Sequence, residues 1–182
     1  NNALKIFLLN LLSYVYDVSY FKYINILASQ KQTTGNIILD LGCGNGTLIR
    51  SISKMFPDSS CLGIDLIQNN TQINNLTLTN QDILSFISNT DLNRCSLVIM
   101  NDVIEHFDFK EIIYILNVLI EKMPSGCHLC FQFPNMSSPF GLRNYFSDDT
   151  HKSPLTHLKV DGVLRDINRI TYRFIGVEEV AR

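Results

Sequence analysis

Asp40, Gly42, Cys43, Gly44 and Gly46 lie in the run Asp-Leu-Gly-Cys-Gly-Asn-Gly, where an acid precedes three glycines at alternate positions. Glycines at this spacing let the backbone turn sharply and approach a ligand with no Cβ in the way. The stretch Asn36–Leu41 before them, with four apolar positions at Ile37, Ile38, Leu39 and Leu41, reads as a buried parallel strand. Leu48, Ile49, Ile52 and Met55 after them recur at helical spacing, so the whole is half of a nucleotide-binding βαβ unit. The plain alternative is an ordinary glycine-rich strand-to-helix turn. A dinucleotide fingerprint requires Gly-x-Gly-x-x-Gly, whereas here the third glycine comes one residue early and Thr47 stands in its place. That spacing argues against an NAD-dependent oxidoreductase.

Two further acids follow at strand ends. Asp65 closes Cys61-Leu62-Gly63-Ile64 and is followed by Leu66. A carboxylate there can accept both hydroxyls of a ribose, against the alternative of a solvent-exposed loop acid. Asp82 and Ile83 follow a third strand, and Asp82 also suits a helix N-cap. The fourth strand ends Asn101-Asp102-Val103-Ile104-Glu105-His106. Strand ends on this side of an open sheet face the ligand crevice.

With Asp40-x-Gly42-x-Gly44-x-Gly46, Asp65 and Asp82-Ile83 in order over residues 35–133, the chain resembles the class I S-adenosylmethionine-dependent methyltransferases. The resemblance implies S-adenosyl-L-methionine as cofactor and S-adenosyl-L-homocysteine as product. Asp40, Gly42, Cys43, Gly44 and Gly46 would then meet its methionine end and ribose, Asp65 and Leu66 the ribose, and Asp82 and Ile83 the adenine. Asn101 and Asp102 would lie near the methionine and the transferred methyl. Asp102-x-x-Glu105-His106 is similar to the Glu-x-x-Glu-His metal set of some small-RNA 2′-O and quinone-ring methyltransferases. That likeness implies Asp102, Glu105, His106 and His151 as a metal option. Glu-His here is also common in class I enzymes that need no metal, and none is expected.

Between residues 134 and 156 lie Pro134-Asn135, Ser138-Pro139-Phe140-Gly141, Arg143-x-Tyr145 and Thr150-His151 ahead of Leu155-Thr156. This stretch resembles methyltransferases of surface-polysaccharide gene clusters and implies a sugar or sugar-linked hydroxyl as acceptor. A hydroxyl nucleophile needs its proton removed, and histidine ordinarily titrates near neutrality. His151 and His106 are the candidate bases, with Asp102 or Glu105 to orient them. Asn135, Arg143, Tyr145 and Asp149 could bind a polyhydroxylated or phosphorylated acceptor. A non-catalytic domain that keeps the fold is the alternative outside enzymes.

These residues require a scaffold. Strands are expected near 36–41, 60–65, 75–80, 95–101 and 127–133, alternating with helices: a Rossmann-like, doubly wound, mainly parallel α/β sheet with helices on both faces. Helix 108–122 should bury Ile112, Ile113, Leu116, Leu119 and Ile120. A crossover helix of only a turn or two should follow Asp65. Residues 134–156 read as an irregular acceptor loop, followed by a helix at 157–167 and a strand at 170–180. Residues 1–34 read as a helical segment, either a layer on the sheet or an aromatic lid.

At 182 residues a single domain is expected. A net charge of −2, from 15 basic and 17 acidic residues, lacks the basic surplus of a nucleic-acid binder. The five cysteines read as packing residues in a reducing, cytoplasmic setting, since Cys127-His128-Leu129-Cys130 has no second pair to complete a zinc site. The apolar N-terminal stretch is too short for a membrane span and lacks the marks of a signal peptide.

Overall fold

The computed structural model describes residues 36–67, 70–167 and 170–174. The chain runs β1 (Ile37–Leu41), α1 (Thr47–Met55), β2 (Ser60–Asp65), β3 (Thr71–Ile73), β4 (Leu76–Asn80), α2 (Ile83–Asn89) and β5 (Cys95–Asn101). A 3₁₀ turn (Ile104–His106), α3 (Phe109–Lys122), β6 (His128–Gln132), α4 (Pro139–Phe146) and α5 (His157–Leu164) complete it. The strands form one sheet in the order β3-β4-β2-β1-β5-β6. All neighbours are parallel except β3 and β4.

Alternation along each central strand builds two core layers. Leu97 and Ile99 of β5 face α1, where they meet Ile38, Ile49 and Ile52. Val98 and Met100 point the other way, onto Leu39, Phe86, Ile87, Ile115 and Leu119 beneath α2 and α3. Both faces are covered, which is why these strands are apolar throughout. Val160 and Leu164 seat α5 against Ile112, Leu116 and Leu155. Burying each such side chain contributes about 1.5–3 kcal/mol. Cys61 and Cys95 are buried, and burial pushes their thiols up to about 12 and about 11. Cys127 and Cys130 pack on opposite faces of the sheet.

The strand order also fixes the crevice. From β1 the chain moves outward to β2 and β4, then returns to lay β5 on the other side of β1. That reversal opens a cleft beyond the C-terminal ends of β1 and β5.

Four expectations need correction. No helix follows Asp65 among the described residues; β3 occupies that link and turns through Asn74, at φ 53°, into β4. The Asn75 side-chain amide lies 2.8–3.1 Å from the carbonyls of Ser53, Phe56 and Ser59, tying this hairpin to the end of α1. The segment 134–156 is not irregular throughout, because Ser138 caps α4 by accepting the Gly141 N–H and Pro139 occupies its first turn. Proline and glycine there read as breakers, but proline at the first helical position favours a helix. On α3 the buried stripe is Ile112, Ile115, Leu116 and Leu119, with Ile113 exposed. Finally, α5 ends at Leu164, and residues 170–174 form no strand. The helical segment over 1–34 and the rest of the 170–180 strand lie outside the described residues.

Candidate functional site

The glycine loop turns at the end of β1 with Gly42, Gly44 and Gly46 all at positive φ. At Gly42 an added Cβ would fall 2.3 Å from Val103 Cγ2, so this turn must be glycine to let the β1 and β5 ends meet. At Gly44 the same Cβ would meet nothing within 4 Å, so the loop presents bare backbone on that side. The Gly44 N–H donates to Asp65 Oδ2 at 2.8 Å, and Asp65 Oδ1 accepts the Ile67 N–H at 3.1 Å. Each carboxylate oxygen keeps a further acceptor position. Leu66 and Ile67 beside it are strongly exposed, at 63% and 74%. Asp82 caps α2 by accepting the Ser85 N–H at 2.8 Å, and Ile83 is buried in the core.

Asp40 is 2% exposed, and its Oδ2 has no hydrogen-bond partner. Burial, reinforced by the nearby Asp65 charge, pushes its carboxyl from 3.8 to about 7. Cys43 is buried beside both acids, which with burial itself push its thiol up to about 12.

Past β5, Asn101 is half-buried at the strand end, and Asp102 follows in the left-handed region at φ 53°. The Asp102 N–H donates to the Gln132 carbonyl at 3.1 Å. Its exposed carboxylate takes the Gln132 side-chain amide at 3.2–3.3 Å. The 3₁₀ turn then brings Glu105 inward. Glu105 is 1% exposed, and both its carboxyl oxygens lack hydrogen-bond partners. Burial is the main cause that pushes it from 4.5 to about 8; its own backbone opposes this, while Asp102 and Asp148 add to it.

Glu105, His106 and His151 converge, each offering one ligand atom within 4.8 Å of the others. The two imidazole centroids are 4.7 Å apart. His151 arrives because the Lys152 and Ser153 N–H groups both donate to the Glu105 carbonyl, pinning the segment to the 3₁₀ turn. Its ring stacks on Tyr145 at 5.1 Å, and its Nδ1 lies 2.7 Å from the Tyr145 carbonyl. A carbonyl only accepts, so Nδ1 carries a proton, and in the neutral form of His151 the lone pair is on Nε2, 3.8 Å from Glu105 Oε1. That distance exceeds a hydrogen bond.

His106 is held in the same tautomer. Thr150 Oγ1 donates its single hydrogen to Asp148 Oδ1 at 2.6 Å and so accepts from His106 Nδ1 at 2.9 Å. The Thr150 bonds hold the Asp148 carboxyl below the usual range, keeping it an acceptor. Two imidazoles with anchored Nδ1–H groups beside a buried carboxyl can serve as proton acceptors or hold a divalent cation. Asp102, expected in that metal set, lies outside the group of three.

The acceptor candidates divide. Tyr145 is half-buried against His151, whereas Arg143 is exposed on α4. Asn135 turns the chain after β6, its Oδ1 accepting the Ser137 N–H at 3.0 Å. Gly141 packs so closely on this turn that a Cβ would fall 1.9 Å from the Asn135 carbonyl oxygen. Gln132, Thr150 and Asp148 join these groups by hydrogen bonds to Asp102, His106 and Thr150, respectively, and the sequence pattern does not single out Thr150 or Asp148. The signal for Gln132 was available, since it is the polar residue closing an apolar strand, as Asp65 is. A cavity of about 350 Å³ lined by Asn36, Arg94, Ser96 and Gly126 opens at the opposite, N-terminal end of the strands, away from these groups.

The family described as a methyltransferase domain matches residues 16–173. No curated protein matches the chain significantly. Among solved structures the chain is similar to a SAM-dependent methyltransferase from Archaeoglobus fulgidus, at 19% identity and TM-score 0.69 over 85% of this chain and 68% of that one. It is similar to the plantazolicin methyltransferase BpumL in complex with SAH, at 21% identity and TM-score 0.60 over 79% and 59%. An O-methyltransferase family protein from Burkholderia thailandensis follows at 14% and 0.57, over 80% and 50%. At these identities the likeness is one of fold. The chain spans between 50% and 68% of the length of these three structures.

Proposed function

The chain belongs to the methyltransferase-domain family, in the S-adenosylmethionine-dependent class I fold, and from that premise we propose that it methylates oxygen on a sugar or sugar-linked hydroxyl. In this reading the glycine loop and the ends of β1, β2 and β4 within residues 35–133 hold the cofactor, and 134–156 meet the acceptor. When bound, the cofactor supplies an electrophilic methyl on a sulfonium, so the protein's part is alignment and proton removal. Its residues fit such a ligand. Asp40 Oδ2 is a buried acceptor that suits an ammonium, Asp65 retains acceptor capacity for ribose hydroxyls, and Leu66 and Ile67 offer apolar cover for a base.

The observation that carries oxygen methylation is the fixed Nδ1–H tautomer of His151, with Nε2 left as the accepting nitrogen beside the crevice. It takes the hydroxyl proton as the acceptor oxygen is aligned, while Tyr145 holds the ring by stacking and through its carbonyl. The polysaccharide assignment rests on the 134–156 resemblance alone.

Two variants separate the roles. Asp65→Ala should weaken S-adenosylhomocysteine binding roughly 10–100-fold by calorimetry. His151→Ala should leave that affinity unchanged and lower S-adenosylhomocysteine release, assayed across a panel of methyl glycosides, by about 10²–10⁴-fold. Normal affinity in the first or normal turnover in the second removes that residue's role.

A second reading is favoured by the Glu105–His106–His151 convergence: a divalent cation that polarises the acceptor hydroxyl. Anchored outer Nδ1–H groups are what metal-bound histidines ordinarily have. Chelation with EDTA should leave turnover unchanged in the leading reading. Activity lost to EDTA and restored by Mn²⁺ or Zn²⁺ establishes the second.

A further inference from the structure

Resting on the methyltransferase reading, we propose that Gln132 is a specificity-determining residue whose Oε1 receives an O–H or N–H of the methyl acceptor, and that the acceptor carries no negative charge there. Gln132 ends β6 and pairs with Asn101 at the end of β5. Its side-chain orientation is fixed on chemical grounds. The Asp102 carboxylate, 3.2–3.3 Å away, only accepts, so the amino group of the amide must face it. A backbone bond of 3.1 Å from Asp102 to the Gln132 carbonyl clamps the same pair. Oε1 therefore faces the other way, and it is buried with no partner among the described residues.

Buried acceptors without donors are rare in native proteins, and each calls for a cause. Among the described residues the buried side-chain atoms in that condition are Asp40 Oδ2, both Glu105 oxygens and Gln132 Oε1. All are oxygens on residues at or just past the C-terminal ends of β1, β5 and β6. A lining built this way calls for a ligand that brings donors. The strand order divides the ligands. Asp40 and Asp65 end β1 and β2, on the cofactor's side, while β6 lies beyond β5 from β1. Gln132 is thus on the acceptor's side.

Charge points the same way. The buried polar and charged residues are Asp40, Ser53, Ser59, Glu105 and Ser153, with no lysine or arginine among those described. Arg143 and Lys152 in the acceptor segment are exposed. A phosphate at the β6 end would meet Asp102 and unpaired oxygens, whereas a neutral polyol or an amino sugar supplies what the lining lacks. Of the polyhydroxylated and phosphorylated acceptors that the sequence left open, this selects the first.

The test uses the S-adenosylhomocysteine-loaded protein, with the Gln132 side-chain amide followed by NMR during titration with methyl α-glucopyranoside, glucosamine and glucose 6-phosphate. Saturable shifts of that amide are expected with the first two, and about tenfold weaker binding or none with the phosphate. Gln132→Leu should lose about tenfold affinity for the two uncharged or cationic sugars and keep its affinity for S-adenosylhomocysteine. The proposal is overturned by equal or tighter binding of the phosphate. A Gln132 amide that none of the three sugars moves, as a merely hydrated Oε1 would give, overturns it too. So does unchanged sugar affinity in Gln132→Leu. Failure of S-adenosylhomocysteine to bind at all refutes the methyltransferase reading instead.

Discussion

Asp40 bears the sharpest consequence at the scale of single residues. A carboxyl raised to about 7 by burial and by Asp65 is held for something that favours its charged form. A cofactor ammonium would do so, and its binding near pH 6.5 should then release a proton. Calorimetry in buffers of different ionisation enthalpy measures that release directly. Asp40→Asn removes the buried charge, so the cofactor-free protein should gain ~2–4 kcal/mol at pH 8, read by denaturant unfolding. The same variant should bind S-adenosylhomocysteine about 10–100-fold more weakly. Asp40 was legible in the sequence because its place before the glycines is local. The strand-end place of Gln132 was legible too, but the direction of its amide was not, because that depends on Asp102, thirty residues away in the chain.

Helix α4 decides at the next scale whether His151 can act. Neither its existence nor its purpose was visible in the sequence, where Ser138-Pro139-Phe140-Gly141 read as loop. Ser138 and Pro139 instead start the helix, which ends at Phe146 and delivers the Tyr145 carbonyl to His151. Gly141 sets how closely the helix approaches the Asn135 turn. Gly141→Ala must push them apart, at a cost of about 1–3 kcal/mol as in overpacked cores. Turnover should fall with it while S-adenosylhomocysteine affinity holds, because the glycine loop is on another element. Turnover equal to wild type would show that α4 does not position His151. By contrast, α3 was legible almost to the residue, since Asp108 and Glu111 form a capping box and the apolar stripe repeats locally. Only the rotation of that stripe, with Ile115 inward and Ile113 outward, waited on the neighbouring sheet.

For the whole molecule, two buried carboxyls make stability run against the common trend with pH. Asp40 at about 7 and Glu105 at about 8 lie above their ordinary values of 3.8 and 4.5. Between those limits the folded chain binds more protons than the unfolded one, so stability falls as pH rises from about 4 to about 8 and levels off above. Asp148 and Asp161 are lowered, and they act oppositely, losing their contribution as pH drops below 3.8. The melting temperature of the cofactor-free protein should therefore be highest near pH 4 and fall steadily from there to about pH 8. A melting temperature that climbs from pH 5 to 8 would show that Asp40 and Glu105 are not held neutral. Among the described residues no helix is long and apolar enough to cross a membrane. The sequence by itself determined the α/β class, the central strands, the glycine turn and the acids beside it, because each is written in a run of neighbouring residues whose period or spacing has one physical meaning. Only the tertiary structure decided which oxygens are buried without donors, that Glu105 meets two histidines from separate segments, and that β3 replaces a crossover helix. Those outcomes depend on desolvation and on contacts between distant segments, which no local pattern encodes.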